Sequence, residues 1–303
     1  MRHDEPAYQG RPLPRPHEEV VDQGLGFDLG TLFDRRRALR FLGIAEAGVA
    51  LTACGAGSTG SSPTTTSSAA SSPASAAGEI PDETAGPYPG DGSNGPDVLT
   101  QSGIVRSDIR TSFGESSGTA EGVPMTLELT IADLANGGAA FTGVAVYVWH
   151  CTREGGYSMY SDGIENENFL RGVQIADGAG RVTFTSIFPA CYDGRWPHIH
   201  FEVYPDQASI TDSSNAIATS QVALPQDACE AVYQQPGYED SVANLQKVSL
   251  SSDNVFGDDG GASQLATVTG DVGSGYTVSL AVRVDTRTTP SAGGGPGGAP
   301  PSR

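Results

Sequence analysis

Residues 191–204, CYDGRWPHIHFEVY, place two of the chain's five histidines one residue apart. The second half of this stretch reads as a β-strand. Successive strand residues point to opposite faces, so His198 and His200 project from the same face and both imidazoles can converge on one point. The strand pattern continues outward in both directions. MTLELTIADL (125–134) alternates apolar and polar residues, and FTGVAVYVWHC (141–151), GRVTFTSIF (180–188) and AIATSQVAL (216–224) follow between Gly, Asp and Pro punctuation. LATVTGDVGSGYTVSLAVRV (265–284) holds two alternating runs joined by GDVGSG, a hairpin connection. Helical pattern is confined to PQDACEAVYQQ (225–235) and YEDSVANLQ (238–246). Many short strands with frequent turns predict an all-β fold, an antiparallel β-sandwich with loops clustered at its ends.

The strands occupy only part of the chain. Residues 1–54 read as an export signal. DRRRALRFLGIAEAGVALTAC (34–54) joins an arginine cluster to a short apolar run interrupted by Glu46, well below the ~20 apolar residues of a membrane span. The arginines followed by ALRFLG resemble a twin-arginine signal, and LTAC resembles a lipobox in which Cys54 would take up lipid. Residues 55–79 are rich in Ser, Thr, Ala, Gly and Pro and cannot bury enough apolar surface to offset chain entropy, so they read as a disordered tether. The Gly/Pro tail, 288–303, is expected to be disordered for the same reason. One domain remains, 80–287.

The formal charge is −19. Such a chain is repelled by phosphate backbones and anionic headgroups, which excludes nucleic acid and leaves a lipid anchor as the route to a membrane. An exported domain meets oxidising surroundings, so one disulfide is expected among Cys151, Cys191 and Cys229. Spacing leaves the pair open; Cys191 with Cys229 is favoured.

Chemistry gathers around the two histidines. A pair of exposed histidines on a polar strand face is the bland alternative, and H-x-H alone is weak. Tyr192 strengthens the signal, because Gly194 and Pro197 let its loop fold back beside the histidine strand. Tyr157 follows Gly155-Gly156 just past another strand, which puts its phenol where sandwich sites are built. Two phenols and two imidazoles suit a hard, highly charged cation, since the metal's charge can replace each phenol proton. Zinc structural sites favour Cys and His instead.

FTGVAVYVWHCTREGGYSMY, FLRGVQIADGAGRVTF and CYDGRWPHIHF together resemble the intradiol ring-cleavage dioxygenases, most specifically in the run Y-x-G-R-x-x-H-x-H. The resemblance covers about residues 80–205 well and the rest of the domain more loosely. It implies Fe(III), non-haem, held by Tyr157, Tyr192, His198 and His200, with O2 as co-substrate and a small aromatic diol opened to a cis,cis-muconate-type product. Tyr192 would leave the metal on substrate binding. Arg195 would stabilise charge building on the ring; its bland alternative is a surface ion pair with Asp193. ETAGPYP (83–89) resembles the segment lining the family's substrate mouth, which implies roles for Pro87 and Tyr88. Ala85, Tyr147 and Cys191 depart from the family pattern at positions that touch substrate choice and packing. The resemblance implies an enzyme held outside the cytoplasm by lipidated Cys54, or secreted. A different oxygenase using H-x-H with a carboxylate, and a lipid-anchored binding module with incidental histidines, are the competing readings.

Overall fold

A computed structural model of the chain describes residues 78–290, together with a short antiparallel pair, β1 (Ala7–Tyr8) and β2 (Arg11–Pro12). The export signal, Cys54, nearly all of the tether and most of the tail lie outside the described residues. Two sheets build the domain, as the strand pattern predicts.

One sheet contains β3 (Pro124–Asp133), β4 (Ala139–Ala140), β7 (Arg181–Ile187), β10 (Thr267–Asp271) and β11 (Gly275–Val284). β3 is central, with β11 along one edge and both β7 and β4 along the other; β10 closes the outside of β11. The second sheet runs β6 (Arg171–Ile175), β5 (Ala145–Trp149), β8 (His198–Tyr204), β9 (Ala218–Ala223). The segments expected to be helical form α1 (Gln226–Val232) and α2 (Glu239–Leu245).

The antiparallel β-sandwich forms as expected, with one long pair of neighbours that departs from the antiparallel pattern. β11 runs parallel to β3 over nine residue pairs, Tyr276 with Met125 through Val284 with Asp133. Parallel neighbours need a long crossover rather than a hairpin, and the whole of the second sheet lies in sequence between these two strands. The 270–275 hairpin forms as read, joining β10 to β11.

Period-two alternation sets which residues meet between the sheets. Leu127, Leu129 and Ile131 of β3, Phe184 of β7 and Val278 and Val282 of β11 face Val146 and Val148 of β5, Ile199, Phe201 and Val203 of β8 and Val222 of β9 in one core. The second sheet is buried on its other face as well. Every residue of β5 and β8 is buried, because a layer of non-repetitive chain covers Ala145, Tyr147, Trp149 and Tyr204 with Val98, Leu99, Ile104, Tyr157 and Ile210. His198 and His200 belong to this outer face. The site therefore lies under a loop layer at the end of the second sheet, where β8 begins and β5 and β9 finish.

Candidate active site

β8 begins at His198, and its pleat sends Ile199 into the core while His198 and His200 point into the covered face. The two Nε2 atoms stand 3.1 Å apart. His198 gives its Nδ1–H to the Trp196 carbonyl at 2.5 Å, which leaves the Nε2 lone pair directed at the centre. Tyr192 Oη lies 3.1 Å from the same Nε2. The Tyr157 ring sits edge-on to both Tyr192 and His200, with centroids 6.0 and 6.2 Å away. Its hydroxyl is buried with no hydrogen-bond partner, as is Nδ1 of His200. All four residues singled out from the sequence thus meet at one place.

Burial, with Arg195 next, pulls His198 well below the usual imidazole range; burial and then His198 do the same to His200. Both rings are therefore neutral, the form that binds a metal. Burial pushes Tyr192 up to about 12 and, with the neighbouring Tyr192 phenol, holds Tyr157 well above the free phenol value. Two phenols that resist ionisation, one of them unbonded, beside two neutral imidazoles fit a cation charged enough to displace their protons. Among the described residues no three His, Cys, Asp or Glu side chains converge in a metal-holding group. A histidine–carboxylate oxygenase site therefore lacks its acid here.

Glycines let the covering loops come this close. Gly86 has φ +72°, and a Cβ there would stand 3.3 Å from His200 Cε1; Gly155 has φ +91°, and a Cβ there would stand 3.3 Å from Tyr192 Cβ. Tyr88 lies over Tyr157 with centroids 4.8 Å apart and touches Tyr160 at 5.3 Å. The Pro87 carbonyl accepts from Asn94 Nδ2 at 2.8 Å. The mouth segment is thereby held over the proposed ligands.

Several residues that hold the site carry no local signal. Trp149 pairs with His200 across β5 and β8 and stacks on its ring at 4.8 Å and 6°. Arg171 is fully buried and spends its donors on the Tyr88, Pro89 and Ser158 carbonyls and on the Ser158 and Tyr147 hydroxyls. It ties the mouth to the loop carrying Tyr157, a loop with Met159 and Leu170 in the left-handed region at φ +71° and +57°. Tyr147, the departure on β5, is one of its partners and also donates to the Pro89 carbonyl at 2.6 Å.

Arg195 does not pair with Asp193, whose partner is Lys247 at 3.0 Å. It binds the fully buried Asp253 at 2.9 Å and Gln221 at 2.7 Å, while Nη1 comes to 3.4 Å from His198 Nε2. His150 packs rather than ligates, with its ring nitrogens on the Cys151 carbonyl and Ser186 Oγ, and burial pushes it down to about 4. Cys151, Cys191 and Cys229 are all free and buried. The expected disulfide is absent among them, because each thiol is packed separately, Cys151 toward the Ala190 carbonyl and Cys191 toward that of Arg195.

Residues 94–208, which contain all four convergent side chains, match the family model described as "Dioxygenase". The fold is similar to that of an intradiol ring-cleavage dioxygenase from Tetranychus urticae, with TM-score 0.55 and 20% identity over 70% of this chain and 96% of that one. The domain has the fold of the intradiol ring-cleavage dioxygenases. A further dioxygenase structure aligns with TM-score 0.56 and 20% identity, covering 71% of this chain and 98% of that one. The chlorocatechol 1,2-dioxygenase of Rhodococcus opacus is 36% identical over 56 residues. That match spans 18% of this chain and 22% of the curated relative.

Proposed function

We propose that the domain cleaves catechol-type aromatic diols with O2 to cis,cis-muconate-type products, using ferric iron held by Tyr157, Tyr192, His198 and His200. The observation that carries this reading is the junction of Tyr192 Oη, His198 Nε2 and His200 Nε2 in 3.1 Å steps, with the unbonded Tyr157 hydroxyl beside it. When bound, ferric iron supplies Lewis acidity and draws electron density from the diol it chelates.

The protein's own groups supply the rest. Tyr192, its proton displaced by the bound cation, would be the phenolate that takes a hydroxyl proton from the incoming diol. Trading one anionic oxygen for another leaves no uncompensated charge in a buried place. Tyr157, without a competing hydrogen bond, stays available to the metal throughout. Arg195 turns Nη1 toward the histidines, where a guanidinium stabilises negative charge developing on the substrate oxygens. Gly86, Tyr88 and Trp149 close over His200 and Tyr157 and limit water. Export through residues 1–54, with lipid on Cys54 and 55–79 as tether, belongs to the same proposal and is supported by the leader's motifs.

Protein made with iron available is expected to carry stoichiometric iron, to show the visible absorption of tyrosinate bound to ferric iron, and to consume O2 with catechol as muconate ultraviolet absorption grows. His200→Ala should lose iron and turnover together. Wild-type turnover in that variant would overturn the ligand set.

A further inference from the structure

We propose that Asp253 is the positioning residue that aims Arg195 at the reacting diol, an inference that rests on the dioxygenase reading for its chemistry but not for its geometry. Asp253 lies 58 residues beyond Arg195 in the chain, and its carboxylate is completely buried. Oδ2 accepts from Arg195 Nε at 2.9 Å and from the Trp196 N–H at 2.7 Å. Oδ1 accepts from the Val255 and Phe256 N–H groups at 2.8 and 3.0 Å, with Arg195 Nη2 at 3.5 Å. The acid is thus anchored to its own turn on one side and grips the arginine on the other.

The guanidinium is a planar fork, so fixing two of its nitrogens fixes the third. Asp253 takes Nε, and Gln221 Oε1 takes Nη2 at 2.7 Å. Gln221 is itself held by donating to the Thr84 carbonyl at 2.9 Å, on the mouth segment. Only Nη1 is left, and it faces His198 Nε2 at 3.4 Å. The Trp196 contact extends the same hold to the backbone, since the Trp196 carbonyl sets the His198 ring. A carboxylate is required because every neighbour is a donor. An amide would turn its NH2 either onto Arg195 Nε–H and Trp196 N–H or onto the Val255 and Phe256 N–H groups, leaving two donors without an acceptor.

The test compares iron-loaded wild type, Asp253→Asn, Arg195→Ala and the double variant for kcat and KM with catechol, iron content and visible absorption. Asp253→Asn should keep its iron and its tyrosinate band, lose 10- to 100-fold in kcat, and change KM less than about threefold. The double variant should be no slower than Arg195→Ala alone, because the acid acts through the arginine. Multiplying losses, or an unchanged kcat in a folded Asp253→Asn, would overturn the proposal. Should Asp253→Asn not fold, Arg195→Lys serves. It leaves the three backbone contacts of Asp253 intact and keeps the charge, yet lacks the fork, so it should lose kcat without losing thermal stability; full activity would overturn the proposal. In the metal-free protein, the Arg195 Nε–H should exchange with solvent at least tenfold faster in Asp253→Asn than in wild type. Equal exchange sinks the positioning claim, whereas faster exchange in a protein that never cleaves catechol upholds it and removes the functional reading alone.

Discussion

Tyr157 carries a hydroxyl into a fully buried place where, beside the Tyr192 phenol, it makes no hydrogen bond of normal geometry, an arrangement that costs about 1–3 kcal/mol in a metal-free chain. A residue kept for packing would not need that oxygen. Tyr157→Phe is therefore expected to leave the metal-free protein at least as stable as wild type in urea, while abolishing iron retention. A clear drop in urea midpoint would show the hydroxyl to be structural. Glu83 makes a different single-residue case. Burial, then the charges of Asp258 and Asp259, push it up to about 7 from an ordinary 4.5. The folded state thus keeps a proton that the unfolded chain releases. Stability falls as pH rises from about 4.5 to about 7 and is level above that window. Because the group is only half-buried, screening reduces the effect to about 1 kcal/mol. Glu83→Gln should flatten that slope in urea titrations across the window, and an unaltered slope would show that another group causes it.

On a single element, β8 separates the two jobs of the domain by parity. Ile199 and Phe201 lie in the inter-sheet core, whereas His198 and His200 face the loop layer. Ile199→Ala should cost about 2–4 kcal/mol in unfolding free energy and keep iron binding in whatever remains folded. His200→Ala should do the reverse, losing iron with little change in the denaturation midpoint of the metal-free protein. Equal effects of the two substitutions on both measurements would mean that the strand does not alternate as described. The same element explains which site residues the sequence shows. Tyr192, Arg195, His198 and His200 fall within nine residues, so turn and strand geometry alone bring them close. Trp149, Gln221 and Asp253 reach them only through pairing and packing, and their neighbours in sequence carry no mark of it.

Across the whole molecule, the three cysteines among the described residues show how packing overrides a chemical expectation. Export suggested a disulfide, yet all three thiols are free, and burial pushes Cys151 and Cys191 up to about 12. Thiols held protonated and away from solvent are slow to oxidise. Under non-reducing conditions they should resist alkylation in the folded protein and all react once it is denatured, as read by intact mass. A mass two hydrogens lower, or a thiol that never reacts, would reinstate a disulfide. The parallel joining of β3 to β11 is another whole-molecule fact, since it brackets the entire second sheet and both helices between two neighbouring strands.

The amino-acid order alone determined most of the strands, the sandwich class and the closeness of Tyr192, His198 and His200, because these depend on two-residue periodicity and on short-range geometry; Tyr157 joined them through the family resemblance. Tertiary structure decided the rest. It set the mixed character of one sheet, the burial of the site beneath a loop layer, the free state of the thiols and the transfer of Arg195 from Asp193 to Asp253. Each of these depends on which distant segments compete successfully for one buried surface, and a local pattern holds no record of that competition.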